Sequence, residues 1–195
     1  SGWIWCMFND NVQFYLEISD VSGCVSKSSI GVANLSDTIT PIIPIITDVS
    51  VDINGKSVIS WIPSPGADIY IIYLVTEEEG VVTIDTVVGG LSSSYTYLGS
   101  NANQYYETFS VRAEDSCGNT QNITPFHNSI YLSADFNICT RSLTLNWNEY
   151  INWDADVSYY NLVVEETDLG GLVTTVIDTN LQGITDYVIF IKVIS

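Results

Sequence analysis

Along most of the chain, apolar and polar residues alternate with a period of two, in short runs separated by turn-forming residues. That is the pattern of half-buried β-strands, not of helices. Val12, Phe14, Leu16 and Ile18 alternate with Gln13, Tyr15, Glu17 and Ser19, which predicts a strand with one buried face. Residues 20–24 read as a turn, and a strand through residues 31–35 completes a hairpin. The polar run Ser36-Asp37-Thr38, followed by Pro41 and Pro44, reads as a linker. Residues 46–53 then form a strand, and Asn54-Gly55 a tight turn in which both residues tolerate positive φ. Ser57-Val58-Ile59-Ser60-Trp61-Ile62 is a strand ending in Trp, broken by Pro63-Ser64-Pro65-Gly66. Residues 69–76 are apolar on both faces and predict a central strand. Glu77-Glu78-Glu79-Gly80 is an acidic turn. Residues 81–88, 94–98 and the alternating Phe109, Val111 and Ala113 are further strands, and the turn at 115–119 echoes the one at 20–24.

The same order returns. Ser142-Leu143-Thr144-Leu145-Asn146-Trp147 repeats the Trp strand, Tyr160, Leu162 and Val164 the strand after it, and residues 165–171 the acidic turn. Residues 130–136, 173–177 and the alternating Tyr187, Ile189, Ile191 and Val193 supply further strands. Trp61 and Trp147 lie 86 residues apart, the size of one small sandwich. The predicted organisation is the C-terminal part of a β-sandwich module over 1–41, a complete module over 42–127, and a module lacking its last strand over 128–195. The chain opens mid-pattern and stops on an apparent strand, so it is expected to be a piece of a longer protein.

Composition narrows the functional classes. The chain of 195 residues carries 5 Lys plus Arg against 23 Asp plus Glu, a net charge of −18. Such a surface repels nucleic acid and anionic lipid, which require clustered cations. No apolar run reaches the roughly 20 residues of a transmembrane helix. Four isolated cysteines, Cys6, Cys24, Cys117 and Cys139, with no CxxC and a single histidine, His127, argue against zinc and for disulfides in an oxidising compartment. Three pairings are open; Cys6–Cys24 and Cys117–Cys139 are favoured because each closes a short loop. No metal site and no cofactor is predicted. The one ion worth considering is calcium, because Asp154 and Asp156, with Asn148, Glu149 and Asn152, put hard oxygen donors in one loop.

Catalytic chemistry finds little footing. His127 is the sole imidazole base and sits in a Pro-Phe-His-Asn connection, where a structural role is the simpler reading. The acidic clusters fall on equivalent turns of the repeat, as exposed edges do, and no Gly-rich loop opens a helix. The loop after the second Trp is longer than its counterpart, 13 positions from Trp147 to Tyr160 against 9 from Trp61 to Tyr70. It carries Tyr150 and Trp153. A residue placed like Trp153 more often folds over the end of the sandwich; the functional alternative makes Tyr150 and Trp153, together with Asp154 and Asp156, the candidate binding residues for a glycan or protein.

The Trp strands, the Tyr strands after them and the alternating strands near each module's end resemble fibronectin type III domains. The implied fold class is all-β, tandem fibronectin type III (immunoglobulin-like) β-sandwiches. Tyr187 fits the tyrosine that packs under a corner in that family; in the middle module Glu107 stands there. A narrower resemblance covers roughly 42–195. The runs Ser60-Trp61-Ile62-Pro63-Ser64-Pro65, Tyr70-Ile71-Ile72-Tyr73, Ile84-Asp85-Thr86-Val87, Asp115-Ser116-Cys117-Gly118-Asn119-Thr120, His127-Asn128-Ser129-Ile130-Tyr131-Leu132 and Leu145-Asn146-Trp147-Asn148-Glu149-Tyr150 look like gliding-motility-associated surface proteins of Bacteroidetes. A cysteine that this resemblance leads one to expect near Asn103 is absent. The resemblance implies export by the type IX secretion system, location at the bacterial cell surface or outside the cell, and partners among translocon components and other envelope or extracellular proteins. It also implies O-glycosylation at the Asp-Thr-aliphatic sites, Thr38 and Thr86. The expected function is a non-enzymatic structural and adhesion region of a secreted multidomain protein. The alternatives are a glycan- or protein-binding module and an accessory region of a secreted hydrolase.

Overall fold

Two sheets built from alternating strands face each other in the middle of the chain, because each has one apolar face that only the other can cover. In the computed structural model, which describes residues 10–35, 37–140, 142–153, 160, 162–168, 171–178 and 186–190, β5 (Ile45–Val51), β6 (Ser57–Ile62) and β9 (Ser94–Thr96) form the first sheet in the order β5-β6-β9. The second contains β7 (Ile69–Thr76), β8 (Gly80–Val88), β10 (Thr108–Glu114) and β11 (His127–Asn128), in the order β11-β10-β7-β8. All pairings are antiparallel. This is the strand order of a fibronectin type III sandwich. As its apolar run predicts, β7 is central.

The core follows from the alternation. Ile46, Val49, Ile59 and Trp61 point inward from one sheet, and Tyr70, Ile72, Phe109, Val111 and Ala113 from the other. Each large side chain removed from water in this way contributes roughly 1.5–3 kcal/mol. The Trp61 and Tyr70 rings meet at 5.2 Å, tilted by 51°. The Tyr70 hydroxyl donates to the Gly90 carbonyl (3.0 Å) and accepts from the Ser64 N–H (2.7 Å), so its buried polar tip is satisfied. The β5–β6 turn differs from the expected two-residue form. Only Gly55 has positive φ, at 73°, and Asn54 does not. Asp52 closes a longer loop: its carbonyl accepts the Gly55 N–H, and its carboxylate accepts the N–H groups of Asn54 and Lys56.

Glu107 replaces the expected corner tyrosine with a buried carboxylate, only 5% exposed. One oxygen accepts the hydroxyls of Ser57 (2.7 Å) and Ser100 (2.5 Å), and the other accepts the Asn101 N–H (3.0 Å). This network ties the start of β6 to the long β9–β10 connection.

Before this sandwich lies a hairpin in two segments. β1 (Asp10–Phe14) pairs with β4 (Gly31–Leu35), and β2 (Glu17–Ser19) with β3 (Val25–Lys27). The single strand predicted through Ile18 is broken at Tyr15 and Leu16, where Ser28 intervenes: its hydroxyl accepts the Leu16 N–H and its own N–H donates to the Leu16 carbonyl. The predicted buried face is also not found among the described residues, since Phe14, Leu16, Ile18 and Val32 are all exposed. Alternation marks an apolar face, but a two-stranded ribbon cannot bury that face by itself.

After the central sandwich, β12 (Leu132–Asn137), β13 (Ser142–Trp147) and β16 (Asp186–Phe190) form one sheet in the order β12-β13-β16, and β14 (Leu162–Asp168) pairs with β15 (Gly171–Asp178). Leu145 and Leu162 are buried together, with Leu143, Trp147 and Tyr160 against them. The sequence match of Tyr187 and Ile189 to the β10 strand is corrected here. β16 pairs with β13, Tyr187 opposite Leu145, so it occupies the place of β9, and Tyr187 is not the corner residue. A period of two identifies a strand but not its neighbour. Ile191 and Val193 lie outside the described residues.

Candidate functional site

The central sandwich, second of the three modules along the chain, and the third, whose sheets β12-β13-β16 and β14-β15 pack at Leu145 and Leu162, meet without a spacer. β11 ends at Asn128, and Ser129, fully buried, is already fixed to the second sandwich. Its N–H donates to the Glu107 carbonyl and its hydroxyl accepts the Glu107 N–H, both at 2.9 Å. A set of amides then stitches the loop after β13 onto this strand. The Asn128 side chain donates to the Glu149 carbonyl (2.8 Å) and accepts the Ile151 N–H (2.7 Å). Asn148 donates to the Ser129 carbonyl (3.0 Å) and accepts the Tyr131 N–H (2.8 Å). Asn152, held at φ 58°, reaches back to the Phe126 carbonyl (2.8 Å). Asparagine suits this work because one side chain both donates and accepts.

Tyr150 completes the joint. Although it belongs to the third sandwich, it is buried in the core cluster of the second, 7% exposed. Its hydroxyl accepts the Val49 N–H of the edge strand β5 at 2.8 Å. That contact satisfies a backbone donor on an edge that would otherwise face a stray strand. His127 Nδ1 lies 3.2 Å from the same oxygen, and the two rings meet edge to face at 5.8 Å. The Tyr150 N–H donates to the Tyr160 hydroxyl, and Tyr160 packs edge-on against Trp147 at 5.9 Å. Burial, with the Asp48 carboxylate nearby, pushes the Tyr150 phenol up to about 12, against the pull of the Val49 N–H.

Trp153 is 48% exposed and stands edge-on to Tyr150, ring centroids 4.8 Å apart. It walls a cleft of about 410 Å³ whose other sides include Pro44, Ile45, Pro125 and His127. Of the predicted binding residues, Tyr150 and Trp153 are therefore brought together, but Tyr150 is a latch and not a surface group. Asp154 and Asp156 lie outside the described residues. Asn148 and Asn152, expected beside them as oxygen donors, spend their side chains on the joint.

Other predicted residues are scattered. Cys24 and Cys139 are free and exposed, so neither Cys6–Cys24 nor Cys117–Cys139 forms; Cys6 itself lies outside the described residues. The second pairing fails because Cys117 is already held in a disulfide while Cys139 is free; the Cys117 sulfur also lies 3.6 Å from the Asp37 carboxylate. Asp37, Asp115 and Cys117 lie close together, but the Cys117 sulfur is held in a disulfide and both Asp115 oxygens are already taken by Cys117 N–H, Asn119 N–H and the Asn119 side chain. Thr38 and Thr86 are both exposed, Thr86 on β8.

Sequence reasoning missed the latch and the asparagine stitching. The signal is present in the extra length of the loop after Trp147, adjacent in sequence to the junction, but length alone does not distinguish a loop that folds over the end of its own sandwich from one that packs into the preceding one.

No family model and no curated protein matches the chain. Among solved structures, it is similar to a fibronectin type III-like protein from Clostridium thermocellum, at 24% identity and a TM-score of 0.41, covering 48% of this chain and 95% of that one. It is also similar to the FN1-FN3 domains of chicken CNTN1, at 11% identity and a TM-score of 0.41, covering 89% of this chain and 64% of that one. The fold itself rests on the strand order and register described above.

Proposed function

We propose that the chain is a non-enzymatic structural and adhesion region of a secreted multidomain protein at the bacterial cell surface, exported by the type IX translocon and then in contact with envelope or extracellular proteins. The observation that carries the structural part is the Tyr150 latch. A spacer that must hold its ends at a set orientation needs joints without slack, and here one sandwich's side chain fills the core of the next. The sole histidine is used in that same joint, buried against Tyr150, which favours a structural reading over a catalytic one. The export reading is supported by the sequence runs that resemble gliding-motility surface proteins, and the exposed Thr38 and Thr86 suit the O-glycosylation that goes with it.

The test is to tag the parent protein in its bacterial host and treat intact cells with protease, with and without a functional translocon. Cleavage that depends on the translocon supports the reading. Retention inside the cell in both strains, or surface exposure without the translocon, overturns it.

A second reading is favoured by the half-exposed Trp153 beside an apolar cleft: a glycan- or protein-binding site at the joint. It predicts a ligand in a glycan or envelope-protein screen whose binding falls with Trp153→Ala. A ligand bound equally well by that variant would remove Trp153 from the site.

A further inference from the structure

We infer that a second groove, at the end of the central sandwich and apart from the Trp153 cleft, binds a Lys- or Arg-rich segment of a partner protein. The groove encloses about 630 Å³, and its walls include Leu74 from β7, Glu77 from the turn that follows it, and Tyr97, Gly99, Tyr105 and Tyr106 from the β9–β10 connection. Tyr105 and Tyr106 are 50% and 54% exposed. Two adjacent half-exposed tyrosines on one wall are what partner surfaces favour, since each offers a large rigid face at little entropic cost.

The wall is built in advance. The buried Glu107 carboxylate fixes the Asn101 N–H, and the Asn101 carbonyl in turn accepts the N–H groups of Gln104 and Tyr105, at 2.8 and 3.4 Å. Tyr97 lies flush against Gly99, where an added Cβ would come within 2.7 Å of the phenol oxygen. Its ring also meets Phe109 edge-on at 6.0 Å. Little ordering is left to be done on binding.

Charge selects the partner. Glu77 is exposed at the rim and is followed in the same turn by the exposed Glu78 and Glu79. Among the described residues no Lys or Arg lines the groove; the Lys56 ammonium is committed to the Ser100 carbonyl at 2.7 Å. Aromatic faces beside carboxylates suit a guanidinium or ammonium group, and a chain of net charge −18 draws such a segment in. This inference does not depend on the route of export.

The experiment is calorimetric titration of the full chain with an acetylated peptide of alternating Lys and Ser. The parallel arms use a Glu-Ser peptide of the same length and a neutral glucose hexasaccharide. We expect one saturable site for the Lys-Ser peptide, weakened by salt, with Tyr105→Ala and Tyr106→Ala each lowering affinity about tenfold. Glu77→Gln should lower it severalfold, and Asp135→Asn, exposed in the third sandwich, should leave it unchanged. Both tyrosines are half-exposed, so unchanged melting curves will show that the variants fold. Peptide binding indifferent to both tyrosine variants would reduce the effect to diffuse acidity and overturn the inference. So would hexasaccharide binding at this groove without peptide binding.

Discussion

Replacing Glu107 tests how the central sandwich holds its corner. In Glu107→Ala the Ser57 and Ser100 hydroxyls and the Asn101 N–H lose a charged acceptor in a buried site. The two hydroxyls can still bond each other, since they already lie 3.3 Å apart. One hydroxyl proton and one backbone N–H are then left unpaired, each costing about 1–3 kcal/mol, and a cavity opens. The expected loss is about 3–5 kcal/mol. Glu107→Gln keeps the shape and, with its carbonyl oxygen toward Asn101, that bond, but it turns an amide NH2 toward the two hydroxyls, which must then accept instead of donate. Ser100 Oγ already accepts the N–H groups of Ser57 and Ala102, so the expected loss is about 1–3 kcal/mol. Amide hydrogen exchange at graded urea concentrations, read on peptides from β6 and β10, reports on this sandwich alone. The refuting result is that both variants stay within about 0.5 kcal/mol of the wild type. Because the Glu107 backbone also clamps Ser129, Glu107→Ala should raise exchange at Ser129 as well.

Three further outcomes follow from the same geometry. Gly90→Ala would place a Cβ 2.0 Å from the Ala67 carbonyl oxygen, a clash with backbone that should cost about 3 kcal/mol or more in chemical denaturation. Burial pushes the phenols of Tyr95 and Tyr150 up to about 12. The unfolded chain therefore loses these protons first, and stability present below pH 10 should fall as pH rises from about 10 to 12; a pH series of thermal melts should show less of this loss in Tyr150→Phe. Cys24 and Cys139 are exposed and free, so both should be alkylated in the native protein, and Cys24→Ser and Cys139→Ser should each change stability by less than about 0.5 kcal/mol.

How much of this could be read in the sequence depends on how local each feature is. The Trp61 strand, the apolar Ile69–Thr76 strand and the alternating Phe109–Ala113 run specify their own conformation and inward face, and the central sandwich was legible from them. The first hairpin shows the limit: its alternation is real, but whether Phe14 and Leu16 are buried depends on what packs over them. β16 shows another limit, since its alternation suits either sheet, and only the register with β13 places it. The cysteines show a further limit: a short separation along the chain predicts Cys117–Cys139, yet Cys117 is held in a different disulfide and Cys139 is free, because tertiary packing and not loop length decides which sulfurs meet. The joint was the least legible feature. Tyr150, Asn128, Asn148 and Asn152 look like ordinary loop residues until two sandwiches are set end to end.

The central claim is that Tyr150 locks the second and third sandwiches into one rigid unit. It is tested most directly by the distance distribution between spin labels on the native Cys139 and on Val88→Cys, in a Cys24→Ser background. Val88 is exposed on β8 of the second sandwich, and Cys139 lies in the β12–β13 turn of the third. We expect a single narrow distribution that broadens markedly in Tyr150→Ala. A broad distribution in the parent, or one that Tyr150→Ala leaves unchanged, would contradict the account.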